Sequence, residues 1–220
     1  MSIREEKFHK QEEVLNYIKQ GKMKEAEIIC KKILDQGSKN YQVYFYMSIT
    51  CGLERVDEMI HWLEKTIELN PKFSSAYNNL GIAYKTKGQF DLAIEVYKKA
   101  IELRPDYYDA YNELGICYKK LNDLDSSYNY FQKAIYIKPK CLDAYYHLGN
   151  IFIQNQKYYY SVNESYEKAL LYKDNFSKAK AELIKFKSLI CEWSQLLNYI
   201  SGIGELGLQD RSEEHTSELQ

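Results

Sequence analysis

Ala76, Tyr77, Leu80, Gly81 and Tyr84 recur three and four residues apart, the spacing of a single helix face, and Ala93, Ile94, Tyr97, Ala100 and Ile101 form a second such run. Between them lies a polar break, Lys87-Gly88-Gln89, built from residue types that stop a helix and turn the chain. The pattern predicts a pair of antiparallel helices over residues 74–107. The same pattern then returns at a spacing of 34 residues. Tyr77, Leu80, Gly81 and Tyr84 are followed by Tyr111, Leu114, Gly115 and Tyr118, and then by Tyr145, Leu148, Gly149 and Phe152. Ala93, Tyr97 and Ala100 give way to Ser127, Phe131 and Ala134 on the same beat. Pro71, Pro105 and Pro139, all the prolines of the chain, keep that period and mark where one hairpin ends and the next begins.

A fixed period of this length predicts stacked copies of one small unit, in which neither helix hides its apolar face alone and neighbouring copies share a continuous core. The mid-helix glycines, Gly81, Gly115 and Gly149, predict close approach of an aromatic ring from a neighbouring helix. Tyrosines at the core positions are expected to have their hydroxyls hydrogen-bonded or at an edge.

These residues resemble the tetratricopeptide repeat, whose pattern is a large aromatic, Leu-Gly, an aromatic, a small residue, an aromatic, an alanine and a proline. The resemblance is nearly complete over 74–107 and 108–141. It holds over 142–176 with one inserted residue within 156–165, since Tyr166 and Ala169 arrive one place late. Residues 40–73 are a degenerate copy anchored by Val43, Tyr44, Met47, Leu63 and Pro71, and 7–39 a divergent one anchored by Tyr17, Gly21, Ala26, Cys30 and Ile33. Residues 177–200 are expected to form a capping or connecting helix and 201–210 a linker. The resemblance implies an all-α fold, a right-handed superhelical solenoid of helix hairpins. It is specific for fold and says little about function.

Composition narrows the picture. The net charge is -1 and the pI about 6.5, so no overall basic field attracts nucleic acid, and no nucleic-acid partner is expected. No run approaches the roughly 20 apolar residues of a membrane-spanning helix, and the charged start lacks a secretory core. The five cysteines, Cys30, Cys51, Cys117, Cys141 and Cys191, are scattered and read as reduced residues of a cytoplasmic or nuclear protein.

The segment from Phe186 through Leu189, Ile190, Trp193, Leu196 and Leu197 to Ile200 is more apolar than a terminal cap facing water needs, so its outer side is expected to pack on a missing domain or a partner. Leu189-Ile190-Cys191-Glu192-Trp193-Ser194 after such an array is similar to the O-linked N-acetylglucosamine transferase and SPINDLY family. That resemblance implies a substrate-recognition arm leading into a catalytic region, although Glu192 stands where that family has aspartate and Gln195-Leu196-Leu197 replaces its acidic and aromatic residues. Arg211 to Gln220 resemble the in-frame translation of a sequencing adapter, with an ordinary polar tail as the alternative.

In a stack of hairpins the first helices line a face where extended peptides or partner helices lie. The lining candidates are Asn78, Asn79 and Lys85 in one copy, Asn112, Glu113 and Lys119 in the next, and Tyr146, His147 and Asn150 in the third, with Ile82, Ile116 and Ile153 beside them. Asparagine can bond a peptide backbone through both amide and carbonyl. The transferase resemblance implies an asparagine ladder, in which Asn79 fits and Glu113 and His147 interrupt. A chaperone-type carboxylate clamp is disfavoured by Ile82 and Ile116 at its asparagine places. The two functional readings are therefore a protein-interaction scaffold and a transferase's recognition arm. The histidines are isolated and Gly202-Ile203-Gly204 lacks a phosphate-loop context, so no catalytic residue, metal site or cofactor is expected.

Overall fold

A computed structural model describes residues 3–154, 159–172 and 179–188, and every regular element among them is a helix. They run α1 (Ile3–Lys19), α2 (Met23–Asp35), α3 (Tyr41–Cys51), α4 (Val56–Leu69), α5 (Ser74–Thr86), α6 (Phe90–Leu103), α7 (Tyr108–Lys120), α8 (Leu124–Ile137), α9 (Leu142–Gln154) and α10 (Tyr159–Tyr172). Residues 179–188 are helical as well. The fold is all-α, a solenoid of stacked hairpins, and it divides into two compact units, Met1–His147 and Leu148–Gln220.

Two kinds of turn generate the hairpins. Within a hairpin, the N–H of Gly88 donates to Lys85 O and that of Gln89 to Tyr84 O, both at 2.9 Å, with Gly88 at φ +74°. This double closure of the last helical turn needs a residue that tolerates the left-handed region. Asn122 takes that place one repeat on, at φ +62°, with the same pair of bonds from Asn122 to Lys119 and from Asp123 to Tyr118. Between hairpins the prolines act at the second position of a tight turn, where their fixed φ is pre-set. The N–H of Phe73 reaches Asn70 O, that of Tyr107 reaches Arg104 O, and that of Cys141 reaches Lys138 O, at 3.0–3.2 Å.

The core lies between hairpins as much as within them. One cluster joins Val14, Ala26, Cys30 and Ile33 to Val43 and Met47 of the next hairpin. A second joins Cys51, Met59 and Leu63 to Ala76, Leu80 and Ala83, and a third joins Ala93, Ile94, Tyr97 and Ala100 to Tyr107, Ala110, Leu114 and Cys117. Each large apolar side chain sealed in this way contributes about 1.5–3 kcal/mol.

The glycines do what their position predicts. A Cβ added to Gly81 would stand 2.5 Å from the Tyr97 ring, and one on Gly115 would stand 2.6 Å from Phe131. One expectation fails. Tyr97 is fully buried and its hydroxyl has no hydrogen-bond partner. The ring is retained because it fills the space over Gly81, while the hydroxyl lies beside Glu113, whose carboxylate Lys85 already holds. Burial, and then that carboxylate, pushes the Tyr97 phenol far above its usual range.

Cys30, Cys51, Cys117 and Cys141 are free thiols sealed in the packing. Burial pushes Cys30 and Cys117 up to about 12, which makes both inert as nucleophiles.

In the second unit Gly149 faces Tyr166 as Gly81 faces Tyr97, with a Cβ-to-ring approach of 2.5 Å. The glycine and the ring are here one residue further apart in sequence. Tyr166, Ala169, Ala179, Leu183 and Phe186 are buried. Phe186, the first residue of the apolar segment singled out in the sequence, is thus buried. The remainder of that segment, Leu189 to Ile200, with Cys191 and Trp193, lies outside the described residues, as do 201–210 and 211–220.

Candidate functional site

The lining candidates of the first unit sit on α5, α7 and the first turns of α9, and the period of 34 residues places them in register from helix to helix. Their side chains do not stand alone in water. Lys85 forms an ion pair with Glu113 of the next hairpin. One repeat on, Lys119 donates to Nδ1 of His147 at 3.3 Å. The same two repeat positions thus bridge successive first helices, once by a carboxylate and once by an imidazole.

That difference has an electrostatic consequence. The Glu113 charge balances Lys85. Lys119 meets an imidazole nitrogen that must be unprotonated to accept its proton, so its charge has no opposite partner among the described residues. Burial, followed by repulsion from Lys120, holds the Lys119 ammonium below its ordinary range. His147 is positioned by neighbouring rings: Phe131 stacks on it at 5.1 Å and Tyr146 tilts against it at 5.2 Å.

The asparagines divide. Asn79 is half-buried on the face. Asn78 and Asn112 are 5 % and 8 % exposed, and the carbonyl oxygen of each is sealed without a hydrogen-bond partner. Such an acceptor costs about 1–3 kcal/mol relative to a satisfied one. Asn78 and Asn112 therefore form the floor of the face where the sequence alone suggested its open wall. Ile82 and Ile116 are half-buried. Asn150 belongs to the second unit, where its carbonyl accepts from the Tyr166 hydroxyl at 2.7 Å. The pairing across repeats is absent from the sequence reading, although the signal is there: a lysine at one repeat position and a hydrogen-bonding side chain at another recur one period apart.

Among the described residues no group of three His, Cys, Asp or Glu side chains is arranged to hold a metal ion, and no helix is long and apolar enough to cross a membrane.

Residues 74–107 and 108–141 each match the family model for the tetratricopeptide repeat. MamA, a solved structure, is 24 % identical, covers 80 % of this chain and 96 % of its own, and superposes with a TM-score of 0.66. YrrB, described as a tetratricopeptide-repeat protein with an unusual peptide-binding site, is 19 % identical over 77 % of this chain and 87 % of its own, at a TM-score of 0.62. A thermophilic tetratricopeptide-repeat protein from Thermus thermophilus, TTC0263, is 15 % identical over 82 % and 98 %, at 0.64. Identities this low speak to fold alone. With its paired turns, its glycine–aromatic contacts and these matches, the chain carries tetratricopeptide repeats over 74–107 and 108–141 and shares its fold with solved tetratricopeptide-repeat proteins.

Proposed function

We propose that the face built from α5, α7 and the first turns of α9 docks peptide segments or helices of partner proteins, and that the chain serves as an interaction scaffold. The observation that carries this reading is the row of polar side chains in register across successive repeats, with one half-buried cation, Lys119, left without a counter-charge among the described residues. A carboxylate on a bound peptide reaches Lys119 without displacing an existing ion pair, whereas at Lys85 it competes with Glu113. Asn79 supplies a donor and an acceptor for the peptide backbone. The description of YrrB as peptide-binding is in line with this use of the fold.

A screen of fluorescent peptides against the full chain, followed by Asn79→Ala and Lys119→Ala, tests the reading. Both variants are expected to weaken binding of any selected peptide while the melting temperature stays put. Unchanged binding in both would remove the face from consideration. A protein or peptide partner, with no nucleic acid, in the cytoplasm or nucleus, completes the proposal. The transferase-arm reading rests on Leu189 to Ser194, outside the described residues, and is decided by whether the gene encodes a sugar-nucleotide-binding region.

A further inference from the structure

Lys65, Lys99 and Lys133 each stand six residues before one of the three prolines, on the solvent side of the second helix of a hairpin. In α4, Lys65 is closed by Glu68 at 2.7 Å, and in α6, Lys99 is closed by Glu102 at 2.9 Å. In α8 the residue at the place of those carboxylates is Tyr136, which is 88 % exposed. Lys133 makes no ion pair among the described residues and rests instead over two tyrosine rings, 5.4 Å from the Tyr130 centroid and 6.0 Å from that of Tyr111.

Those rings belong to a larger cluster. Tyr130 stacks on Tyr118 at 5.2 Å with an interplanar angle of 6°, and Lys98 stands 5.7 Å above Tyr118. The result is a lysine held in place by aromatic faces, with its charge uncompensated, beside an exposed aromatic ring. A shallow depression on this helix is lined by Asn129, Gln132, Lys133 and Tyr136. Its lining contains two amides, one cation, one aromatic ring and no carboxylate.

We propose that this exposed face of α8 is a second docking surface, and that its occupant is an acidic segment of a partner protein carrying an apolar residue next to its carboxylate. The sibling repeats show the chemistry the lysine accepts at this register, an Oε of glutamate under 3 Å away. In α8 the partner supplies that oxygen from outside. The apolar neighbour covers the Tyr136 ring, and Asn129 and Gln132 bond the segment's backbone. An exposed ion pair alone adds little affinity, so the aromatic contact must contribute most of the binding and the carboxylate must choose the register. The inference does not rest on the face lined by α5 and α7.

The experiment returns the missing carboxylate to the helix. A short fluorescein-labelled peptide of Glu, Leu and Phe, its counterpart with Gln for every Glu, and a short labelled oligo(U) RNA are titrated against the full chain by anisotropy. The wild-type chain is expected to prefer the acidic peptide. Tyr136→Glu, which rebuilds the pair seen in α4 and α6, and Lys133→Glu are each expected to weaken it by about tenfold. Both positions are at the surface, and unchanged circular dichroism and melting temperature confirm that folding is intact. Equal binding of the Gln peptide, no binding of the acidic one, or full binding by both variants overturns the proposal. Loss only in Lys119→Ala assigns the carboxylate to the other face and overturns it too, as does RNA binding that the two α8 variants abolish.

Discussion

Tyr97 and Tyr166 occupy the same slot, each with its ring pressed over a helical glycine, yet their hydroxyls have opposite fates. In the second unit the Tyr166 hydroxyl donates to Asn150. In the first, the residue at the place of Asn150 is Ile82, and the Tyr97 hydroxyl is orphaned. Phe131, between them in sequence, fills the slot with no hydroxyl at all. The slot therefore selects a ring for its shape. Whether the oxygen is stabilising depends on one residue a helix away, and repeats that look alike along the chain differ there.

The harshest way to break the slot is to fill it. Gly115→Leu is expected to lose at least about 1–3 kcal/mol, because Phe131 has nowhere to retreat within the inter-hairpin core. Urea unfolding reads this directly, and a midpoint near that of the wild type would mean that the close approach is not needed. Next in size, Tyr166→Phe is expected to cost about 0.5–1.5 kcal/mol by removing a satisfied bond. Tyr97→Phe sharpens the contrast by its sign. Removing an unsatisfied buried hydroxyl should leave stability unchanged or raise it by up to about 1 kcal/mol. Should both variants lose equally, the two hydroxyls are equivalent and the comparison collapses.

A smaller effect tests whether polar links between hairpins stabilise as well as orient. Glu27 receives hydrogen bonds from Arg55 and Lys31, which hold its carboxyl down to about 2 from 4.5. Its folded value is lower than its unfolded one, so its contribution is complete above pH 4.5 and is lost as the pH falls towards 2. Arg55→Ala should flatten the acid limb of the stability curve in that window, and an unaltered limb would place the acid sensitivity elsewhere. Smallest of all, Asn112→Leu should leave the melting temperature unchanged or raise it slightly, because loss of an unpaired buried carbonyl is offset by the tighter fit of a bulkier side chain of the same branched shape. A marked loss would show that the amide is satisfied in solution, for instance by water.

Much of this was legible before any coordinates. The prolines located the inter-hairpin turns, and Gly88 the turn within a hairpin, because both residue types act through their own backbone and need no distant partner. The glycine–aromatic pairs were legible in part: a helical glycine announced close approach, though not by which ring. The candidate face was less readable. Helical spacing placed Asn78, Asn79 and Asn112 on one side of their helices, but burial of Asn78 and Asn112 depends on the neighbouring hairpin, which a single helix does not reveal. Likewise, Lys85 and Glu113 lie 28 residues apart, and only stacking makes them partners. The exposed ring of Tyr136 was missed, although aligning it with Glu68 and Glu102 would have revealed the lost carboxylate.

By itself, then, the order of amino acids determined the period, the helices, their turns and the need of each hairpin for a neighbour, since all of these follow from local backbone preference and the spacing of apolar residues. Tertiary structure decided which polar groups find partners, because satisfaction depends on residues a full repeat away whose approach is set by packing. Asn150 under Tyr166, Ile82 in its place under Tyr97, His147 beside Lys119 and tyrosine rings beside Lys133 are outcomes of that packing, and they separate repeats that share one pattern.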